Sequence, residues 1–166
     1  MKRLISIVNI LAVVSGCVMI VAMLFPWWRV AIVGRAGTNV YPYLIDGAAS
    51  EFLGYKRSTP MIIFTVVLAI CIILCFVGSF LKGIKGRIAL GVAGIFALLA
   101  TAGFVYRISY VCKTYGLVLQ GKTFTSAQMV LVEVATEFKP GIYLIIAAGV
   151  LCLISCALHG ILLRRS

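Results

Sequence analysis

Residues 61–81 read MIIFTVVLAICIILCFVGSFL, an apolar run without a charged side chain. A helix over this run rises about 1.5 Å per residue and is about 30 Å long, which matches the hydrocarbon core of a bilayer. Three further runs share this length and lack Asp, Glu, Lys and Arg: Leu4–Phe25, Ile88–Tyr106 and Gly141–Leu163. The pattern predicts an all-α membrane protein, a four-transmembrane-helix bundle that forms a single integral membrane domain over residues 1–166.

The composition excludes several classes of protein. Of the 166 residues, 63% are hydrophobic and 11% are charged, whereas a soluble domain is about 45–50% apolar and about 25% charged. A soluble globular enzyme, a disordered chain and a disulfide-stapled secreted domain are therefore excluded. Met1-Lys2-Arg3 and Val14-Ser15-Gly16-Cys17 resemble parts of a signal peptide. However, the first apolar run is longer than the apolar core of such a peptide, so we expect a retained helix.

The charge distribution predicts the topology. The 15 basic residues outnumber the 4 acidic ones, and they flank the apolar runs, where they contact lipid head groups rather than nucleic acid. Three short segments on one side carry seven of them: Lys2, Arg3, Lys82, Lys85, Arg87, Arg164 and Arg165. The other side carries the remaining eight basic residues and all four acids, spread over two longer loops. The density of basic residues close to the helix ends, rather than their number, therefore decides the orientation. We expect a multi-pass protein of the cell membrane with both termini in the cytoplasm.

The first outer segment, residues 26–59, is β-prone. Arg29–Val33 and Asn39–Ile45 are separated by glycine-containing residues 34–37, a pattern typical of a hairpin. Trp27 and Trp28 are expected to anchor the chain at the membrane interface or to recognise a partner. Tyr41, Tyr43, Phe52 and Tyr55 would form an aromatic face, and the candidate interaction residues are Trp27, Trp28, Arg29, Tyr41 and Tyr43.

The second outer segment, residues 107–139, is expected to begin as an extension of the third helix and to turn at Gln120-Gly121-Lys122. Thr125-Ser-Ala-Gln128 has the spacing of a capping box. We therefore predict a short outer helix over residues 129–137, with Glu133 and Glu137 on one face.

The chain offers little material for catalysis. His159 is the only histidine, and we expect it to lie at the membrane interface; a ligand or proton-relay role is the alternative. Because no phosphate loop, zinc pattern or nucleophile elbow is present, we predict no enzyme activity, no catalytic residue and no cofactor.

The cysteines form two pairs at i,i+4 spacing. Cys71 and Cys75 lie on the second helix, and Cys152 and Cys156 lie at similar depth on the fourth. Four converging thiols could hold a soft metal ion. We expect them instead to serve as metal-free packing groups, because cysteine is a common small apolar residue in buried helices.

The third helix is rich in small residues, which let helix backbones approach closely in lipid. We expect it to be the packing centre of the bundle. The candidate packing residues are Gly91, Gly94 and Ala97.

Short motifs resemble the claudin and peripheral-myelin-protein superfamily. They are Pro26-Trp-Trp-Arg-Val30 followed by Gly34, Lys82-Gly-Ile-Lys-Gly-Arg87, and the basic tail Leu163-Arg-Arg165. The resemblance implies four spans and a role in cell-surface scaffolding, adhesion or a paracellular pore. The sequence departs from that family because residues 18–70 contain no cysteine pair.

Three functions are consistent with these features. The first is a non-enzymatic structural, adhesion or assembly component whose partners are membrane lipids, other membrane proteins or further copies of itself. The second is a small accessory subunit of a respiratory or redox enzyme complex that lines a lipid or quinone site. The third is an oligomeric channel or transporter, which the absence of intramembrane charge disfavours.

Overall fold

The computed structural model describes residues 8–32, 37–47, 57–127 and 130–162. Within these ranges the chain forms four helices: α1 (Ile10–Leu24), α2 (Thr59–Phe80), α3 (Ile84–Thr114) and α4 (Pro140–Leu162). The same ranges contain five strands: β1 (Trp28–Ile32), β2 (Thr38–Val40), β3 (Ile45–Gly47), β4 (Gly121–Ala127) and β5 (Val130–Phe138). The protein is mostly helical with a small sheet, rather than all-α.

The helices pack as a ring in which α1 contacts α2 and α4, and α3 contacts α2 and α4. Of the described helices, α2, α3 and α4 are long and apolar enough to cross a membrane. Their outward faces carry large apolar side chains; Ile63, Ile73 and Leu99 are each 57–60% exposed. An exposed surface of this kind is stable in lipid rather than in water.

Helix α1 is shorter than the predicted run, and it begins at Ile10 rather than at Leu4; residues 4–7 lie outside the described ranges. The cause is Asn9, whose Oδ1 accepts a hydrogen bond from the Ala12 N–H at 3.3 Å and so caps the helix. The Asn9 N–H donates to the Ser79 carbonyl at 3.0 Å, outside α1. The 15 residues of α1 rise about 22 Å.

The sheet combines strands from both connecting segments in the order β3-β2-β1-β5-β4. The predicted hairpin of the first segment is present as β1 and β2, with Trp28 opposite Val40. A turn follows, closed by a hydrogen bond from the Tyr41 N–H to the Leu44 carbonyl at 2.9 Å. Since β1 also pairs with β5 along its whole length, it joins the two segments into one structure.

The predicted outer helix over residues 129–137 is wrong, because Val130–Phe138 is strand β5. In this stretch Val132, Val134 and Thr136 alternate with charged or small residues, which is the period of a strand. The shared face of Glu133 and Glu137 does not distinguish the two structures, since residues four apart lie on one face in both. Continuation of the third helix past Arg107 is confirmed, as α3 ends at Thr114.

Small residues bring α3 and α4 together. A Cβ added at Gly94 would lie 2.8 Å from the Leu153 side chain and 3.0 Å from the Gly149 carbonyl oxygen. Ala97 is fully buried, and a Cβ at Gly91 would touch Cys156 Sγ at 3.4 Å. Gly94 therefore lies at a point of close helix approach, whereas Gly91 tolerates a small side chain.

Candidate functional site at the sheet end of the bundle

We call the end of the bundle that carries the sheet the sheet end, and the opposite end, where α2 connects to α3, the terminal end. At the sheet end Trp27 is fully buried. Its Nε1–H donates to the Ala22 carbonyl at 2.9 Å, and its ring packs edge-on to Phe104 with centroids 5.0 Å apart. A Cβ at Gly141 would collide with the Trp27 ring. Trp27 therefore fills the junction between α1, α3 and α4.

Trp28 holds the sheet to the chain that follows α3. It is 4% exposed, and its Nε1–H donates to the Leu119 carbonyl at 3.0 Å. Because both tryptophans are buried, the expectation that they form an interfacial aromatic belt is wrong. The exposed aromatic residues near this end include three tyrosines on α3 and α4, namely Tyr106, Tyr110 and Tyr143, at 76%, 65% and 56% exposure.

The sheet has one inward and one outward face. Trp28, Val40, Val134 and Thr136 are all buried on the inward face, and Thr136 Oγ1 donates to the Val118 carbonyl at 2.8 Å. The register places the alternate residues together on the outward face, namely Arg29, Asn39, Asp46, Lys122, Phe124, Glu133 and Glu137. One face thus seals the bundle while the other presents polar and charged groups.

Ion pairs order the outward face. Arg29 lies opposite Glu137 in the register, with a nitrogen–oxygen distance of 3.8 Å, and Lys139 also contacts Glu137. Lys122 Nζ lies 2.8 Å from Glu133 Oε1, and this hydrogen bond raises the pKa of the Lys122 ammonium. The face combines both signs of charge and suits polar recognition of another protein surface.

Tyr41 and Tyr43 lie beside the β3 edge of the sheet, between β2 and β3, with ring centroids 5.5 Å apart. Together with Leu44, Ile45 and Asp46 they line an open groove. Burial, followed by the nearby Asp46 carboxylate, raises the pKa of the Tyr41 phenol. Phe52 and Tyr55, the other members of the predicted aromatic face, lie outside the described residues.

The four paired cysteines do not come together as one group in the structure. Cys75 Sγ lies 3.3 Å from Cys152 Sγ, and the Cys152 thiol donates to the Leu90 carbonyl at 3.3 Å. Cys156 instead donates to the Arg87 carbonyl at 3.1 Å. Among the described residues, which include all four thiols, no group of three or more potential metal-ligating side chains comes together. Cys75 and Cys152 meet in the bundle core, and through Leu90 they join α2, α3 and α4.

His159 forms a buried polar cluster at the terminal end and is fully buried rather than facing the membrane interface as expected. Its Nε2 lies 2.9 Å from the Leu81 carbonyl, which can only accept, so Nε2 carries the proton. Its Nδ1 therefore accepts from Asn9 Nδ2 at 3.0 Å. Asn9 Nδ2 also donates to the Ser155 carbonyl. The cluster ties the start of α1 to α4 and to the end of α2.

Known proteins add no identification. No family model matches the chain, and no curated protein is significantly similar to it. The resemblance to the claudin superfamily stays a prediction.

Sequence reasoning missed two sets of structural residues. Asn9 was hidden within an apolar run, although an asparagine before a helix is a typical N-cap. Tyr106, Tyr110 and Tyr143 were not recognised as candidate interfacial residues, because that role was assigned to Trp27 and Trp28. The available signal was their position at the ends of the charge-free runs or within four residues of them, where tyrosine favours the interface.

Proposed function

We propose that this protein is a non-enzymatic four-span membrane protein that acts as a structural, adhesion or assembly component through the outward face of its sheet. In this proposal α1 is the fourth span, the sheet end lies outside the cell, and both termini lie in the cytoplasm. The resemblance to a superfamily of cell-surface scaffolding proteins is consistent with this role.

The observation that carries the proposal is the sheet itself. It joins both connecting segments through the β1–β5 pairing, and Trp27 and Trp28 anchor its first strand to the bundle. A surface held in this way loses little conformational entropy when a partner binds. Rigid support beneath a charged outward face therefore favours recognition.

One face of α3 supports the membrane placement. Ile88, Val92, Ile95 and Leu99 follow each other at helical spacing and are all exposed. The same face continues through the exposed Tyr106 and Tyr110 to the exposed Lys113. This order of aliphatic, tyrosine and lysine residues is typical of a helix that passes from hydrocarbon through the interface into water.

The proposal can be tested with a charge-swapped outward face. In the triple variant Arg29→Glu/Glu137→Lys/Lys139→Glu both ion pairs of position 137 are kept with their signs reversed, so the sheet should remain folded while its surface changes. Both forms are purified in mild detergent from the native host. We expect the wild-type chain to retain a stoichiometric partner protein, and the variant to lose that partner at an unchanged melting temperature.

Two results would contradict the proposal. An association that is the same for both forms would show that the outward face is not the docking surface. Recovery of stoichiometric redox or transport subunits would favour an accessory subunit instead. The single variant Asn39→Ala serves as a milder control than the charge-swapped variant, because it removes an outward amide without changing the charge of the face.

A further inference from the structure

Strand β4 forms one edge of the sheet. It is seven residues long and pairs with β5 on one side. Among the described residues, no backbone hydrogen bond joins Gly121–Ala127 to a strand on the other side. A strand of this length with an unpaired edge is a template for pairing with another chain.

The register identifies which backbone groups face the free edge. Ala127 and Val130 are paired although they are only three positions apart in the chain, and an antiparallel pair at this separation is hydrogen bonded. Because hydrogen-bonded and non-bonded pairs alternate along an antiparallel ladder, residues 121, 123, 125 and 127 bond to β5. The N–H and C=O groups of Lys122, Phe124 and Ser126 therefore point to the free edge.

The sequence around this edge is nearly symmetric about one residue, since Thr123 and Thr125 flank Phe124. Phe124 is 69% exposed. Two copies of β4 running antiparallel can place Phe124 opposite itself, and each outward-pointing backbone group of residues 122, 124 and 126 then meets a partner. A twofold pairing of this kind is self-complementary and closed.

Charge is compatible with the same register. Lys122 would lie opposite Ser126 of the second copy, so no like charges face each other across the new pair. Lys122 also forms its ion pair with Glu133 of its own sheet. An unpaired lysine on an edge strand opposes pairing with another chain. The charge of Lys122 is instead balanced by Glu133, so Lys122 does not prevent this pairing.

We propose that the partner of this chain is a second copy of itself, bound through antiparallel β4–β4 pairing centred on Phe124. The two five-stranded sheets then form one continuous sheet. This inference rests on the proposed role as an assembly component and adds a self-contact at the edge of the same sheet, which substitutions at Arg29 and Glu137 leave intact.

Cysteine cross-linking tests the register. The Phe124→Cys variant is prepared in nanodiscs that hold two copies, which tests pairing within one membrane. It is also prepared in two proteoliposome populations carrying different tags, which tests pairing between membranes. A short membrane-impermeant bifunctional thiol reagent is added to both preparations. The two introduced thiols lie on residues with Cα atoms about 5.5 Å apart. We expect a covalent dimer in at least one preparation, and none from the wild-type chain.

Lys122→Cys is the matched control, because residue 122 lies four positions from its symmetry mate, about 13 Å along the strands. We expect about tenfold less dimer from Lys122→Cys alone than from Phe124→Cys, and efficient cross-linking when Lys122→Cys is mixed with Ser126→Cys. Phe124→Pro should abolish dimer formation in native mass spectrometry without unfolding the sheet, since it removes an N–H that faces the free edge.

Absence of a Phe124→Cys dimer in both preparations would overturn the β4 pairing, as would equal cross-linking at residues 122 and 124. If no Phe124→Cys dimer forms but a different protein partner is lost in the Arg29→Glu/Glu137→Lys/Lys139→Glu variant, the proposed function stands while this inference fails. If the charge-swapped variant keeps its partner and no Phe124→Cys dimer forms, both the proposed function and this inference fail.

Discussion

Asn9 and His159 show how two polar side chains can fix the end of a largely apolar bundle. Asn9 uses its oxygen to cap α1 and its nitrogen to donate to His159 and the Ser155 carbonyl. Gly86 is required beside them, because a Cβ there would overlap the His159 ring and the Leu81 carbonyl. Buried polar groups that are mutually satisfied in this way specify one arrangement of the helices.

Replacing either member of this cluster should destabilise the fold. We expect His159→Ala and Asn9→Ala each to lower the free energy of unfolding in detergent by about 1–3 kcal/mol, because each leaves a buried polar group unpaired. The double variant should lose less than the sum, since the Asn9–His159 hydrogen bond is removed in both single variants.

Ser155→Ala is the control for this cluster. The Ser155 hydroxyl is buried and has no hydrogen-bond partner among the described residues, so its removal should leave the unfolding free energy unchanged or raise it. Strictly additive losses for Asn9→Ala and His159→Ala would contradict the predicted coupling.

The burial of Trp27 and Trp28 predicts a fluorescence result. They are the only tryptophans in the chain. In bilayers, brominated lipids and aqueous iodide should quench the wild-type emission weakly, because neither quencher contacts the indoles. A Tyr106→Trp variant should add emission that brominated lipid quenches strongly, since Tyr106 is 76% exposed. Strong quenching of the wild-type protein by lipid would restore the belt interpretation.

At the scale of elements, α3 depends on small residues for its contact with α4. Gly94→Leu should lower the unfolding free energy by about 1–3 kcal/mol or more, because its side chain must displace Leu153 and the α4 backbone. Ala102→Leu is the matched control on the same helix. Ala102 is exposed, and lipid is as apolar as leucine, so thermal unfolding in detergent should be unchanged. Equal melting temperatures for wild type and Gly94→Leu would show that close α3–α4 packing is unimportant.

Strand β5 makes a prediction that separates its two possible structures. Val134 is 5% exposed and faces inward, whereas the neighbouring Ala135 lies on the outward face. Val134→Asp should destabilise the protein by several kcal/mol because it buries an unpaired charge, and Ala135→Asp should change stability little. Similar melting temperatures for the two variants would contradict the two-residue period of the strand.

At the scale of the whole molecule, the proposed orientation predicts which side of the membrane each end occupies. Lys85 lies at the terminal end, and Gln120 lies at the sheet end; both are exposed. In intact cells Gln120→Cys should react with an impermeant thiol reagent, and Lys85→Cys should react only after permeabilisation. The wild-type chain measures the background of its own cysteines. The reverse pattern would place the termini outside.

Much of the helical architecture could be predicted from the sequence, because membrane-spanning length and an absence of charge are local properties. The bounds of α2 and α4 differ from the predicted runs by one or two residues at the described ends. The β1–β2 hairpin was also predictable, since β-prone residues flank the glycine-containing residues 34–37 in the sequence. The strand β5 was not predicted over residues 129–137, because Glu133 and Glu137 share a face in a helix and in a strand alike.

The sequence by itself determined that the chain has long apolar helices, a β-prone first connection and few groups suited to catalysis. Only the tertiary structure decided which residues meet across distant parts of the chain. It buried Trp27 and Trp28, paired Cys75 with Cys152, joined Asn9 to His159, and placed β5 beside β1. Hydrophobicity is a property of each segment and can be read along the chain. Pairing depends on register and close packing between segments that are 77 to 150 residues apart in the chain, which no local pattern encodes.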